Sequence, residues 1–245
     1  MIQENDFCKD LSRLNKPEEL KEGKMLLVDK PLEWTSFDVV KKIRAKLQHA
    51  LKVKKIKVGH AGTLDPLASG LVIICIGKAT KNIDALMGWT KTYEAKVKFG
   101  ITTPSFDLET QPDHSFPTEH IDEEKIREAL QSFYGEQLQV PPQYSAIKIE
   151  GKRAYDMARD GKTFEMEARR VTFHEVELVD FEDMEVTVRI VCSKGTYIRS
   201  FARDLGIAVE SGGVLTALRR TAIGPAKVEN ALSINDIEKQ VERLK

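Results

Sequence analysis

VTFHEVELVDFEDMEVTVRIVC, residues 171–192, consists of two runs of alternating apolar and polar residues separated by the acidic pair Glu182–Asp183. Period-two alternation puts successive side chains on opposite faces of a strand, and a short polar break between two such runs predicts a β-hairpin. Working outward, MLLVDKP (25–31) predicts a strand stopped by Pro31, whose ring fixes φ and removes a donor. TYEAKVKFG (92–100) alternates as a half-buried strand, and LVIICIG (71–77) is a short continuous apolar strand of the fully buried kind. GGVLTALRRTAIG (212–224) is glycine-led, β-like and basic.

Four helices accompany these strands, three between them and one after the last. Thr35 or Ser36 is placed to cap a helix carrying Phe37, Val40, Ile43 and Leu47 on one face. DEEKIREALQSFYG (122–135) aligns Ile126, Leu130 and Phe133, with Gly135 as its stop. TYIRSFARDLGIAVE (196–210) turns Ile198, Ala202 and Leu205 inward. Ser233, with Asp236 three residues on, caps a last helix bearing Ile234, Ile237, Val241 and Leu244. Strands and helices intermingle without the steady rhythm of a doubly wound fold, which predicts an α+β chain on a largely antiparallel sheet. Residues 1–22 are polar and weakly patterned and are expected to form a partly ordered extension ahead of a domain over 23–245.

No apolar run approaches the roughly 18–20 residues of a membrane span, and the N-terminus lacks the basic-then-apolar pattern of a signal peptide. The three cysteines, Cys8, Cys75 and Cys192, are odd in number and nowhere spaced C-x-x-C, so neither a disulfide framework nor a zinc knuckle is suggested. A reduced, cytoplasmic location is the expectation. The net charge is zero, which argues against a general nucleic-acid coat, yet the stretch Lys41–Lys57 holds eight Lys or Arg and no acid. Such a tract either solvates a helix face or holds a phosphate backbone locally.

The segment richest in chemistry is GHAGTLDPLASG (59–70), where three glycines, a proline and the lone acid Asp65 directly precede the buried strand. A loop of this kind displays a carboxylate on backbone that packing behind it holds still. Taken alone, it is equally a turn in which Asp65 caps the residues that follow. It is not a phosphate-binding P-loop, because Gly77-Lys78 is followed by Ala79 and preceded at the required spacing by Val72.

GHAGTLDPLASG resembles the signature loop of the TruB family, the bacterial synthases that make pseudouridine at position 55 of transfer RNA. The resemblance continues in order through LLVDKPLEWTSFDVV (26–40), KTYEAKVKFG (91–100), VPPQYSAIKIEGKRAYDMARDG (140–161), SKGTYIRSFARDLG (193–206) and GGVLTALRRTAIG. It implies a pseudouridine synthase fold: a largely antiparallel mixed sheet flanked by helices and RNA-binding loops, with an RNA-gripping insertion at about 139–162. The implied reaction breaks the N1–C1′ bond of uridine, turns the uracil and joins C5 to C1′. It is redox-neutral, so no cofactor and no metal are implied. It needs an ionised carboxylate at the sugar, as nucleophile or as base.

The residue roles follow from matched positions. Asp65 matches the family's catalytic aspartate, Arg199 the arginine that keeps it ionised, and Tyr93 the tyrosine that packs on the target uracil. Tyr197 and Leu218 match positions lining the uridine pocket. His60 matches the histidine that helps eject the base, and Ala61 stands where the family more often has threonine. Tyr144, Lys148, Lys152, Arg153, Tyr155 and Arg159, with Arg219 and Arg220, are expected to contact RNA. Many members continue into a C-terminal domain of the PUA type, whereas this chain stops at Lys245. The partner implied is the T-arm of transfer RNA, bound by a monomer with no membrane and no obligatory protein partner. The alternatives are a guide-RNA-dependent synthase, which lacks the YSAIK insertion, and a non-catalytic transfer RNA chaperone, which has no need of the acid.

Overall fold

The computed structural model describes residues 2, 6–8, 10–11, 17–149, 151–162 and 164–244. Of the expected extension over 1–22, residues 1, 3–5, 9 and 12–16 lie outside the described residues. In chain order the elements are α1 (Pro17–Glu22), β1 (Lys24–Lys30), α2 (Ser36–Ala50), β2 (Val58–Ala61), β3 (Ala68–Ile76), α3 (Ile83–Met87) and β4 (Lys91–Phe99). Next come β5 (Ile101–Thr102), β6 (His114–Ser115), α4 (Glu123–Gln131), β7 (Gly135–Gln139), β8 (Lys148–Ile149), β9 (Lys152–Arg153) and α5 (Ala154–Arg159). The chain closes with β10 (Arg169–Glu182), β11 (Glu185–Cys192), α6 (Ile198–Ala208), β12 (Gly213–Ile223), β13 (Ala226–Lys227) and α7 (Ile234–Glu242). Two compact units result, one of Met1–Tyr93 with Arg219–Lys245 and one of Glu94–Leu218.

The first unit is built on β3. Strand β1 pairs with it antiparallel along its length, from Lys24 opposite Ile76 to Lys30 opposite Gly70. Strand β2 takes the other side of its second half, from Val58 opposite Ile76 to Ala61 opposite Ile73. Leu71, Ile73 and Cys75 point to one face and form a core with Met25, Leu27, Leu86, Ile223 and Ala226. Burial there pushes the Cys75 thiol up to about 12, which makes it a packing residue. Phe7 bridges Met25, and the Leu11 amide donates to Gln240 Oε1 at 2.8 Å, so these residues ahead of β1 join the same unit.

Helix α2 begins in a capping box between Thr35 and Asp38 and buries Ser36, Val39, Val40, Ile43 and Leu47. Phe37, expected on that face, is 54% exposed. At 3.6 residues per turn it falls roughly a quarter of a turn from the centre of the arc formed by Val40, Ile43 and Leu47. Its ring lies instead beneath Lys41, with Nζ 5.6 Å from the centroid. Two of the basic tract's lysines are neutralised locally, since Lys42 and Lys46 both reach Glu238 of α7, at 2.8 and 2.9 Å.

In the second unit the strand order is β4-β11-β10-β7. The hairpin expected at 171–192 is β10/β11, antiparallel from Phe173 opposite Cys192 to Glu182 opposite Glu185. Its two-residue turn is Asp183–Met184, with φ of 51° and 57°. Two successive positive φ values are the hairpin geometry that matches strand twist, held here without glycine. The Phe99 amide donates to Met184 O at 2.9 Å and Lys98 Nζ donates to Asp183 O, which fixes the turn. Phe133, Phe173 and Phe201 form an aromatic cluster with centroids 4.8–6.1 Å apart. Helix α6 is seated backbone to backbone on the start of β12, where a Cβ on Gly206 would lie 2.2 Å from Gly213 N. That contact accounts for Gly213, while a Cβ on Gly212 would lie 2.6 Å from Ile101 O.

Candidate active site

Asp65 sits in the first unit, on the short loop between β2 and β3, and is half-buried. The residues on both sides of it are pinned. Ser36 Oγ, buried at the start of α2, accepts from the Leu64 amide at 2.8 Å and donates to Leu64 O at 3.2 Å. Pro66 O accepts from the Glu33 amide at 2.8 Å and from Lys30 Nζ at 3.5 Å. The Ala68 amide closes the turn onto Asp65 O at 3.1 Å. A carboxylate on backbone fixed at its neighbours keeps one direction without ordering itself on each turnover.

Two buried cations underlie this loop. Lys30, fully buried, donates to Trp34 O at 2.6 Å and Pro31 O at 2.8 Å. Burial lowers its pKa to about 8, with the Asp65 charge opposing that fall and Arg220 adding to it. Arg220, 1% exposed, donates from Nε to Leu71 O at 2.7 Å, from one terminal nitrogen to Gly62 O at 3.1 Å and from the other to Thr63 O at 3.4 Å. A phosphate contact was expected of Arg220, and its burial corrects that. The side chain alternates inward along β12, and its donors are turned to carbonyls of the loop.

Arg219, one residue earlier, reaches Asp29 through two nitrogens at 2.8 and 3.1 Å and remains partly open to solvent. His60, also in this unit, is held below the usual imidazole pKa by burial and by the Arg220 charge, so its ring is neutral at pH 7. Tyr93 is buried on β4.

The second unit carries Arg199, Tyr197, Leu218 and the insertion. Arg199 stands in the first turn of α6, 5% exposed. It donates to Tyr144 O at 2.8 Å and Ser105 O at 3.3 Å, and its Nε lies 3.7 Å from Oδ2 of the buried Asp107. Tyr197, the residue before α6, is tied through both backbone groups to the buried Gln139 amide, at 2.8 and 3.1 Å. Leu218 is buried on β12.

In the insertion the Tyr144 and Tyr155 rings meet edge to face at 6.0 Å. Tyr155 OH donates to Glu109 at 2.8 Å, and the Arg159 guanidinium lies 4.7 Å from the Tyr155 ring centre. Strands β8 and β9 pair Lys148 with Arg153 and Ile149 with Lys152. Beside them lies a cavity of about 410 Å³ lined by Lys148, Lys152, Arg153 and Lys162, with Asp156 and Asp160 among the lining.

Sequence reasoning missed Lys30 and Ser36 beside the Asp65 loop in the first unit, and Asp107 and Gln139 beside Arg199 and Tyr197 in the second. All are polar residues that look unremarkable in the chain and become informative only when buried. Among the described residues no group of three or more His, Cys, Asp or Glu could hold a metal ion. No helix among the described residues is long and apolar enough to cross a membrane.

The family model described as "TruB family pseudouridylate synthase (N terminal domain)" matches residues 48–198, a stretch that begins in α2, contains the Asp65 loop and ends at the start of α6. The class that this match and the α+β fold define is the pseudouridine synthases. This chain belongs to the TruB family. It is 52% identical over 223 residues to tRNA pseudouridine synthase B of Phocaeicola vulgatus, covering 91% of this chain and 95% of that protein. It is 51% identical over 227 residues to tRNA pseudouridine synthase B of Flavobacterium johnsoniae, covering 92% of this chain and 99% of that one. Among solved structures, a chain of a Cbf5-Nop10-Gar1 complex aligns with a TM-score of 0.69 at 27% identity. That alignment covers 97% of this chain, which spans 60% of the length of the other.

Proposed function

We propose that this chain isomerises uridine to pseudouridine at position 55, in the T-loop of transfer RNA, with Asp65 as the carboxylate that acts at the sugar. The observation that carries the reading is the double anchoring of the loop: Leu64 on Ser36, and Pro66 on Glu33 and Lys30. Holding one acid this firmly has a use in chemistry and little in mere binding. Transfer RNA as substrate is supported by the names of the relatives that match over nine-tenths of the chain.

In the reaction the N1–C1′ bond breaks, the uracil turns, C5 bonds to C1′, and the proton lost from C5 is balanced by one taken up at N1. The carboxylate serves either by attack at C1′ or by taking a proton from C2′. The other roles rest on the family resemblance. Tyr93 offers an aromatic face to the flipped base, and Tyr197 and Leu218 line the uridine pocket. His60, a neutral ring, occupies the stacking space the base vacates. Arg199 serves to keep the carboxylate ionised. Tyr144, Lys148, Lys152, Arg153, Tyr155 and Arg159 contact the RNA with cations and rings, and Arg219 adds a further cation. A cytoplasmic monomer without an obligatory protein partner completes the reading, with the cysteine spacing in support of the compartment.

The test is to incubate an unmodified transfer RNA transcript with the purified protein and map pseudouridine by position. The expected outcome is modification at position 55 alone, abolished by Asp65→Asn, with affinity for the transcript retained. Turnover by the Asn variant, or modification elsewhere, overturns the assignment.

A further inference from the structure

We propose that Arg220 is a positioning residue whose buried guanidinium sets the conformation of the 62–66 loop and, through it, the direction of the Asp65 carboxylate. The proposal rests on the reading of Asp65 as the reacting acid and deepens it.

Three carbonyls accept from this one side chain: Gly62 and Thr63 just ahead of Asp65, and Leu71 on the strand that leaves the loop. Loop carbonyls have no ladder or helix partner of their own, and buried ones must find a donor. A planar fork of five N–H groups meets several carbonyls at fixed angles, which an ammonium on a flexible stem does not reproduce. The backbone of the same residue closes the other end of the loop. Gly70, with φ of 106°, packs so tightly there that a Cβ would lie 2.3 Å from Arg220 O. Entry and exit of the Asp65 loop are therefore both referred to a single residue of β12.

Arg219 serves as the internal comparison. It neighbours Arg220 in sequence, faces the opposite way, and binds Asp29 at the surface. A shared duty in holding RNA would call for both guanidinium groups to be accessible, and only Arg219 is.

The experiment uses the full chain and an unmodified transfer RNA transcript, and compares wild type, Arg220→Lys, Arg220→Gln and Arg219→Ala. Single-turnover rate, transcript Kd at two salt concentrations and Tm are measured for each. For Arg220→Lys the expected result is a single-turnover rate lower by about 100-fold, the scale of a 1 Å misplacement. Its Kd should stay within about twofold of wild type, with the salt slope unchanged. A near-normal rate overturns the proposal. So does a weakened Kd with a shallower salt slope, which would return Arg220 to phosphate binding. Failure of both Arg220 variants to fold assigns the residue to stability alone and also overturns it. Asp65→Asn separates the two levels: if that variant is active the catalytic reading falls, whereas a dead Asp65→Asn beside a fully active Arg220→Lys removes only the positioning role.

Discussion

Ser36 and Leu64, 28 residues apart, exchange two hydrogen bonds through a single hydroxyl: the Leu64 amide donates to Oγ at 2.8 Å, and Oγ donates to the Leu64 carbonyl at 3.2 Å. A serine that opens a helix thereby satisfies both polar groups of the residue before Asp65. Replacing it strands an N–H and a C=O in a buried place. Ser36→Ala is expected to lower stability by about 1–3 kcal/mol, read from chemical denaturation, and to slow turnover. A stability within 0.5 kcal/mol of wild type, about the range of a surface substitution, would show that water or backbone relaxation replaces the hydroxyl.

Lys30 makes a pH prediction whose sign is opposite to that of an ordinary ion pair. Its folded pKa, about 8, lies below the 10.5 of an open chain. Between those values the unfolded chain binds the extra proton, so stability rises with pH across that window and the burial penalty is felt in full below pH 8. Lys30→Met is expected to flatten the stability curve between pH 8 and 10.5, removing a rise on the order of 3 kcal/mol. Asp65→Asn should lower the Lys30 pKa further, because the Asp65 charge is the largest of those that hold it up, ahead of Asp29 and Asp38. Lysine-selective NMR titration of both proteins checks this, and an unmoved pKa in the Asn variant would contradict the coupling.

From sequence alone, Arg199→Ala is expected to reduce turnover severely with only a modest effect on the fold. The structure changes that expectation, because the guanidinium lies 3.7 Å from the buried Asp107 and donates to two carbonyls. Removing one partner of a buried pair leaves the other charge uncompensated, at about 3–5 kcal/mol. Thermal melts should therefore show Arg199→Ala strongly destabilised and the double variant with Asp107→Asn partly restored. Additive losses in the double variant would mean that the pair does not act as a unit.

The insertion's cations should report through salt. Lys148 and Lys152 border the 410 Å³ cavity beside β8 and β9, while Lys42 and Lys46 are already held by Glu238. Each phosphate contact removed lowers the slope of log K against log salt by about 0.7–0.9. Lys148→Ala and Lys152→Ala are expected to lower the slope for a T-arm stem-loop, and Lys42→Ala to leave it unchanged. Equal effects from all three would place the RNA across α2 as well.

The sequence by itself determined the hairpin 171–192 and the cap at Ser233, narrowed the cap of α2 to Thr35 or Ser36 and singled out Asp65 as the candidate acid, because each depends on local spacing. Alternation, a capping hydroxyl and a glycine-flanked aspartate act over a few residues, and a chain read in order displays them. The inward face of α2 was misjudged at Phe37 for the same reason, since a stripe of apolar residues does not say where the buried arc stops. Only the tertiary structure decided what the polar residues do. Arg219 and Arg220 are chemically identical neighbours, and strand alternation sends one to Asp29 and the other beneath the Asp65 loop. Ser36, Lys30 and Asp107 gain their meaning from burial, which leaves a polar group no partner except what the fold holds within reach: Leu64 for Ser36, the carbonyls of Pro31 and Trp34 for Lys30, and Arg199 for Asp107. Desolvation is a property of the packed chain, so no reading of residues in order can supply it.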